Sequence, residues 1–343
     1  MSMGLTSHVS LRPYNSFGLE VRAEALADFT NASELRQALG CPFEHRMVLG
    51  GGSNVLFTTH YNGLILLNRI GGLAIEEDRG EEVIVSAGAG VNWHDLVEWC
   101  LAQGLNGVEN LSLIPGTAGA APIQNIGAYG VELKDVFYAL QAIDLSTGEE
   151  FNFDATACRF GYRSSIFKEE LKGRMVITKI FLRLTRRQDQ LSLEYGAIQD
   201  ELVRMNVRQP SARDVSQAVM RIRRSKLPDP ATLGNAGSFF KNPEVPSEEF
   251  AQLLDRFPDM PSYPLPDGSV KVPAGWLIER AGWKGRRTGN VGCYTKQALV
   301  LVNYGGATGE EIWSHACQVA DSVEAHFGLR LVPEVNVVGH PSR

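Results

Sequence analysis

Ser238 is the one hydroxyl in GNAGSFFKNP (234–243), a run of the smallest residues followed at once by two phenylalanines, a lysine and an Asn-Pro turn signal. Small residues let a backbone approach another group closely, and an aromatic pair anchors its segment in a core. The run suits a hydroxyl presented to a bound group, although a serine in a glycine-rich loop also serves as a turn or cap residue. A second chemical feature is cationic. ACRFGYRSSIFK (157–168) offers Arg159, Arg163 and Lys168, and RIRRSK (221–226) offers Arg221, Arg223, Arg224 and Lys226. Basic residues in a last helical turn complement the macrodipole, yet this cluster holds more than a dipole needs, so it also suits a diphosphate. Arg159 reads either as an exposed loop arginine or as a planar fork for a carboxylate. Glu334, in LVPEVNVV, is a carboxylate within an apolar strand. Such a group must reach solvent, pair with a cation or sit in a site, and Pro333 suggests a strand edge.

Two glycine-rich loops accompany these residues. GGGSNVLF (50–57) could form a nest of N–H donors for phosphate, or a tight hairpin turn. It is not a Walker A loop, which needs Gly-Lys-Ser/Thr opening a helix. It is not GxGxxG either, because Val55 stands where the third glycine belongs. ENLSLIPGTAGAAPIQNIGAYG (109–130) is too long for a connector and almost uncharged, and its Leu and Ile content opposes disorder. Two such loops suggest a dinucleotide held between them, with apolar residues over a flat ring system. No nucleophile elbow, metal-ligand set or Ser-His-Asp order is recoverable.

The elements that position these loops follow from pattern. TNASELRQALG reads as a short capped helix stopped by Gly40, and MVLGGGSNVLF as strand, glycine turn, strand. EEVIVSAGAG is a strand, and NWHDLVEWCLAQG places Trp93, Leu96, Val97, Cys100 and Leu101 on one helical face. YALQAIDLSTGEEFNF reads as a hairpin turning at Ser146–Gly148, with MVITKIFLRL a further strand. SARDVSQAVMRIRRSK is a helix with a Ser211/Asp214 capping box that ends before Pro228. A last helix runs from Thr308 and Glu311 to Gly328, followed by the strand LRLVPEVNVVG. The composition, 44% hydrophobic and 21% charged over 343 residues, is that of a globular chain with more than one domain. A net charge of -6 opposes broad binding to nucleic acid or anionic membrane. Five scattered cysteines without a CxxC pair fit reduced thiols. MSMGLTSHVS lacks the apolar core of a signal peptide, so a soluble, cytoplasmic protein is expected.

Taken together, LGGGSNVLF, IPGTAGAAPIQNIGAYGVEL, CRFGYRSSIFK, KLPDP, GNAGSFFKNP, DGSVKVPAGWLIE and a terminal PEV resemble the UDP-N-acetylenolpyruvoylglucosamine reductase family, in order from about residue 12 to 338. The resemblance implies an α+β fold of three domains. Two form a vanillyl-alcohol-oxidase-type (PCMH-type) FAD-binding fold, 1–70 (rejoined by 335–343) and 71–222, and 223–334 binds substrate. It implies non-covalent FAD, NADPH as hydride donor, and a UDP-linked enolpyruvyl amino sugar as substrate; separately, no metal and a monomeric state are expected. Arg159, Ser238 and Glu334 match the catalytic residues: charge stabiliser, proton donor, and polarising group or proton relay. The FAD-binding residues it implies are Gly50, Gly51, Gly52, Ser53 and Asn54 in the first loop. In the second they are Pro115, Gly116, Ala120, Ala121, Ile123, Asn125, Gly127 and Tyr129. Tyr195, Arg223, Lys226, Asn242, Tyr263 and Gln297 match substrate contacts, Tyr195 in the loop of the subtype that swings a tyrosine onto the UDP moiety. Some relatives carry serines at 120 and 121, so here those positions offer FAD only backbone amides. An FAD oxidase of the same fold and a non-catalytic flavin-binding protein are the rival expectations; the first is disfavoured by a loop without His or Cys, the second by the joint presence of Arg159, Ser238 and Glu334.

Overall fold

The computed structural model describes residues 4–339; residues 1–3 and 340–343, the outer ends of the 1–70 and 335–343 segments, lie outside the described residues. The fold is α+β and groups into two compact units. One comprises Ala23–Gly51 and Asn62–Ser225 with the segment up to Val9; the other comprises Ser10–Arg22, Gly52–Tyr61 and the segment from Lys226 onward.

In the first unit, a four-stranded sheet runs in the order Leu5–Ser10, Arg22–Phe29, Tyr61–Asn68, Arg46–Leu49. Helix α1 (Ala32–Leu39) is capped by Asn31, whose Oδ1 accepts from Glu34 N, and it buries Leu35 and Ala38 on this sheet. A five-stranded antiparallel sheet follows, in the order Glu150–Asp154, Phe137–Asp144, Met175–Thr185, Glu82–Gly88, Leu73–Asp78. Ile143 and Val176 of this second sheet complete the core beneath α1. That shared core is why segments 1–70 and 71–222, read from the sequence as two subdomains, lie largely in one compact unit. Helix α2 (Trp93–Ala102) buries the expected apolar face against Val83 and Val85. After the four-residue α3 (Ala155–Cys158), α4 (Gly196–Arg204) and α5 (Ala212–Lys226) pack through Ile198, Leu202, Val215, Val219 and Ile222. The Ser211/Asp214 capping box is present at the start of α5.

The second unit holds the antiparallel sheet Gly234–Ser238, Val300–Asn303, Val291–Cys293, Arg287–Thr288. Helix α6 (Ser247–Arg256) follows the first strand of a three-stranded sheet, Glu244–Pro246, and helix α7 (Ala274–Arg280) follows its last two, Tyr263–Pro264 and Ser269–Lys271. Helix α8 (Gly309–Phe327) carries the expected Thr308/Glu311 capping box and ends at Gly328 in the left-handed region, φ 78°. Two expectations change. The strands flanking the glycine turn do not form a hairpin: Arg46–Leu49 pairs parallel with Tyr61–Asn68, whereas Val55–Phe57 pairs parallel with Asn336–Val338. The final strand is also shorter than expected, because the segment changes partner: 332–334 pairs with 239–241, and only Asn336–Val338 joins Val55–Phe57. Glu334 therefore lies ahead of the strand.

His315, on α8, is 2% exposed, with Nε2 3.8 Å from Cys293 Sγ and its ring edge-on to Trp283. Burial, aided by the nearby Arg286 cation, pushes its pKa down to about 4. The unfolded chain then binds more protons than the folded one between about pH 6.5 and 4, so stability falls as pH falls through that window. The expected loss between pH 7 and 4 is on the order of 2–3 kcal/mol, and His315→Gln should flatten it. Urea unfolding at both pH values measures the difference; equal pH slopes in both proteins would remove His315 from the account.

Candidate active site

The glycine turn works by contact. A Cβ at Gly50 would strike the Thr117 hydroxyl, and one at Gly51 would lie 3.1 Å from Gly116 Cα, so only glycines let the two loops touch. Gly52 has φ 60°, and a Cβ there would collide with the Tyr14 carbonyl. Among the described residues, the amides of Gly50, Gly51, Gly52 and Ser53 donate to no protein acceptor. Successive unspent N–H donors are the chemistry an anion requires. Asn54 serves the second unit instead: its Nδ2 lies 3.4 Å from Glu334 O, and its carbonyl accepts from Asn336 N.

The long loop is anchored from outside itself. Trp93 Nε1 donates to Leu111 O at 2.9 Å, Leu113 N to His94 Nδ1 at 3.2 Å, and the buried Ser112 and Ser216 hydroxyls meet at 2.7 Å. Pro115 is exposed and Gly116 half-buried beside the glycine turn. Ala120 and Ala121 depart from expectation. Their amides are spent on Thr117 O and Ala118 O inside a 3-10 turn, and the Ala121 side chain is buried in the core. Asn125 departs further. Fully buried at φ 42°, it donates to Glu132 Oε2 (3.0 Å) and Gly161 O (3.1 Å) and accepts from Lys134 N (3.0 Å). Its side chain is a staple within the protein, which leaves little for a cofactor. Ile123 and Gly127 offer carbonyls to Ser165 Oγ and Arg163.

Tyr129, Tyr195 and Arg223 do come together. The two rings meet edge to face, centroids 5.3 Å apart, and the Tyr129 hydroxyl bonds the Arg223 guanidinium. Burial holds Arg223 below the usual arginine range and the nearby Arg163 adds repulsion, while Tyr129 opposes the shift. Burial likewise raises the Tyr129 pKa. Arg223 Nε is buried with no acceptor among the described residues. A cation with an unspent buried donor, beside a second arginine, fits an anionic ligand. Burial sets Arg223 apart within RIRRSK, where Arg221 and Lys226 are exposed.

Arg159 occupies the left-handed region at the end of α3, φ 45°, exposed and paired with Glu170. In the second unit, Ser238 and Glu334 are neighbours through the backbone. Glu334 N donates to Phe239 O and Lys241 N to Val332 O, so 239–241 and 332–334 run antiparallel. A register shift between Asn235 and Ser238 turns the chain just ahead of the serine, which itself pairs with Val300. Asn235, missed in the sequence, sets that turn: it is 2% exposed, bonds Pro228 O and Leu233 O, and accepts from Gly237 N. Its Asn-x-Gly spacing was the available signal. Asn242 and Gln297 each lie at the start of α7, where Asn242 Oδ1 accepts from Ala274 N at 2.9 Å and a Cβ on Gly275 would lie 3.0 Å from Gln297 Oε1. Tyr263 is exposed on a short strand, paired with Lys271. Among the described residues no cluster of His, Cys, Asp or Glu is arranged to hold a metal.

A family model described as an FAD binding domain matches residues 23–154, which include both glycine loops. Another, described as the C-terminal domain of UDP-N-acetylenolpyruvoylglucosamine reductase, matches residues 229–338, which include Ser238 and Glu334. UDP-N-acetylenolpyruvoylglucosamine reductase of Pseudomonas aeruginosa is 50% identical over 340 residues, 98% of this chain and 100% of that protein. The protein of the same name from Azoarcus sp. is 50% identical over 339 residues, 97% of each. The crystal structure of UDP-N-acetylenolpyruvylglucosamine reductase from Thermus caldophilus shares the fold, with a TM-score of 0.66, 24% identity, and coverage of 98% of this chain and 99% of that one. With half its residues shared over essentially its whole length, the chain belongs to the UDP-N-acetylenolpyruvoylglucosamine reductase family.

Proposed function

We propose that this protein is the FAD-dependent enzyme that uses NADPH to reduce the enolpyruvyl ether of UDP-N-acetylglucosamine to UDP-N-acetylmuramate, for peptidoglycan. The observation that carries the reading is the backbone pairing that sets Ser238 beside Glu334 within a chain of this family.

FAD fits the residues present. The unspent amides of Gly50–Ser53 suit its diphosphate, the small-residue contact between the loops admits backbone close to a ligand, and no His or Cys in 106–130 could tether it. FAD bound there would supply two-electron chemistry, hydride transfer from NADPH to the terminal carbon of the substrate double bond. The displaced electron pair runs into the conjugated carboxylate, where the Arg159 guanidinium offsets the charge. Ser238 donates its hydroxyl proton to the carbon bearing that carboxylate and is reprotonated from solvent. A weak acid suffices because the carbon is a strong base, and Glu334 acts on the same group as polarising residue or proton relay. Arg223 and Tyr195 hold the UDP moiety, with Tyr129 of the FAD-binding loop bonded to Arg223, and Lys226, Asn242, Tyr263 and Gln297 make further substrate contacts. The proposed protein is a monomer. Its cytoplasmic location rests on five free cysteines. Among the described residues no helix is long and apolar enough to cross a membrane.

Anaerobic titration tests the reading. A yellow protein should be bleached by NADPH and recoloured by the enolpyruvyl sugar nucleotide. Recolouring by oxygen alone would make it an oxidase, and a protein that cannot be loaded with FAD would overturn the reading of both loops.

A further inference from the structure

We infer that Ser165 is a positioning residue for Arg159, holding the arginine's turn onto the flavin-side loop; the inference rests on the function proposed above. Arg159 stands at φ 45°, and Arg163, four residues on, at φ 51°. Side chains keep that conformation only where their surroundings impose it. The turn between them closes on itself through Gly161 N to Ser164 O at 3.0 Å, and through Ile166 N to Cys158 O at 2.9 Å.

What the closed turn then holds is the 123–127 stretch of the long loop. Ser165 Oγ donates to Ile123 O at 2.7 Å and accepts from Phe167 N at 3.2 Å. Arg163 donates to Gly127 O at 2.8 Å, and Asn125 Nδ2 to Gly161 O at 3.1 Å. Three side chains thus tie the two segments, and each tie ends on a main-chain carbonyl. Ser165 is 1% exposed, so water does not readily replace its hydroxyl. Its neighbours Phe160 and Phe167 pack edge to face on Phe137 and Phe153, centroids 4.9 and 5.0 Å apart. The rings fix the turn's depth, and the hydrogen bonds fix its register against the loop. Arg159 itself adds only an exposed ion pair with Glu170, too weak to orient it.

The consequence is selective. Ser165→Ala should leave FAD loading and flavin bleaching by NADPH at wild-type levels, and slow recolouring by the enolpyruvyl sugar nucleotide about 10-fold, because small misplacement of a charge-stabilising group is costly. Ser165→Thr, which restores the donor, should recover most of that rate. Hydrogen exchange of residues 159–166 in the holoenzyme should rise about 10-fold in Ser165→Ala with the rest of the chain unchanged. In an Arg159→Ala background the same substitution should cost nothing further, since its effect runs through the arginine. Equal slowing of both half-reactions, or an effect that adds fully to Arg159→Ala, would overturn the inference and make Ser165 a general stability residue. A wild type that oxidises NADPH but leaves the enolpyruvyl ether intact overturns the functional reading instead, and shows itself before any variant is made.

Discussion

Ser238→Ala is expected to yield a yellow protein that NADPH bleaches at the wild-type rate and that reduces the enolpyruvyl sugar about 10³-fold more slowly, within the range for loss of a positioned proton donor. The split follows from the hydroxyl's single task. Hydride transfer into the flavin needs no proton at the carbon that Ser238 serves, so that half-reaction has nothing to lose. Folding has little to lose either. The backbone of residue 238 pairs with Val300 whatever the side chain, and the adjoining Phe239 and Phe240 stay buried. Alanine keeps the small volume the register shift requires. Water remains as a poorer donor, which sets the floor of the residual rate. Stopped-flow absorbance of the two half-reactions measures the split directly. Enolpyruvyl reduction within about 10-fold of wild type would take the donor's role from Ser238, and Glu334, next to it across the backbone pairing, would be the group to vary next.

The parts of this structure legible in the sequence are those governed by near neighbours. The Ser211/Asp214 and Thr308/Glu311 boxes each link residues three apart, and both form as expected. Helix α4 escaped because Tyr195 stands at its N-cap and makes no side-chain cap. The glycine turn admitted two readings because its local sequence serves both. The choice was made far away, where 336–338 becomes the partner of 55–57 and leaves no hairpin to form. Asn125 shows the same limit within the candidate site. Its type and loop suggested a cofactor contact, but its acceptor Gly161 lies 36 residues on, and that partner consumes a donor the sequence left available. Arg223 went the other way. A basic helical end has an ordinary explanation, and only the buried, unspent Nε distinguishes it from Arg221.

Arg159→Ala should separate chemistry from stability more sharply than any other substitution on the first unit. The arginine is exposed, with both it and Glu170 about 60% accessible in their side chains, so the ion pair contributes roughly 0–1 kcal/mol to folding. Alanine also occupies the left-handed region no worse than arginine does, because the strain there arises at Cβ, which both carry. Urea unfolding should therefore shift by less than about 1 kcal/mol. Enolpyruvyl reduction should fall roughly 10²–10³-fold, the cost of removing one group from a developing anion, with flavin bleaching by NADPH preserved. Arg159→Lys should recover only part of the loss, because an ammonium supplies the charge without the planar fork. Steady-state rates at saturating substrate, set beside the unfolding curves, check both halves of the expectation. A folded Arg159→Ala protein with undiminished enolpyruvyl reduction would move the charge-stabilising role to another group. Arg163 could not assume it unaided, since its guanidinium is already committed to Gly127 O and the loop it holds. The mechanism would then need a stabilising group from outside residues 159–163.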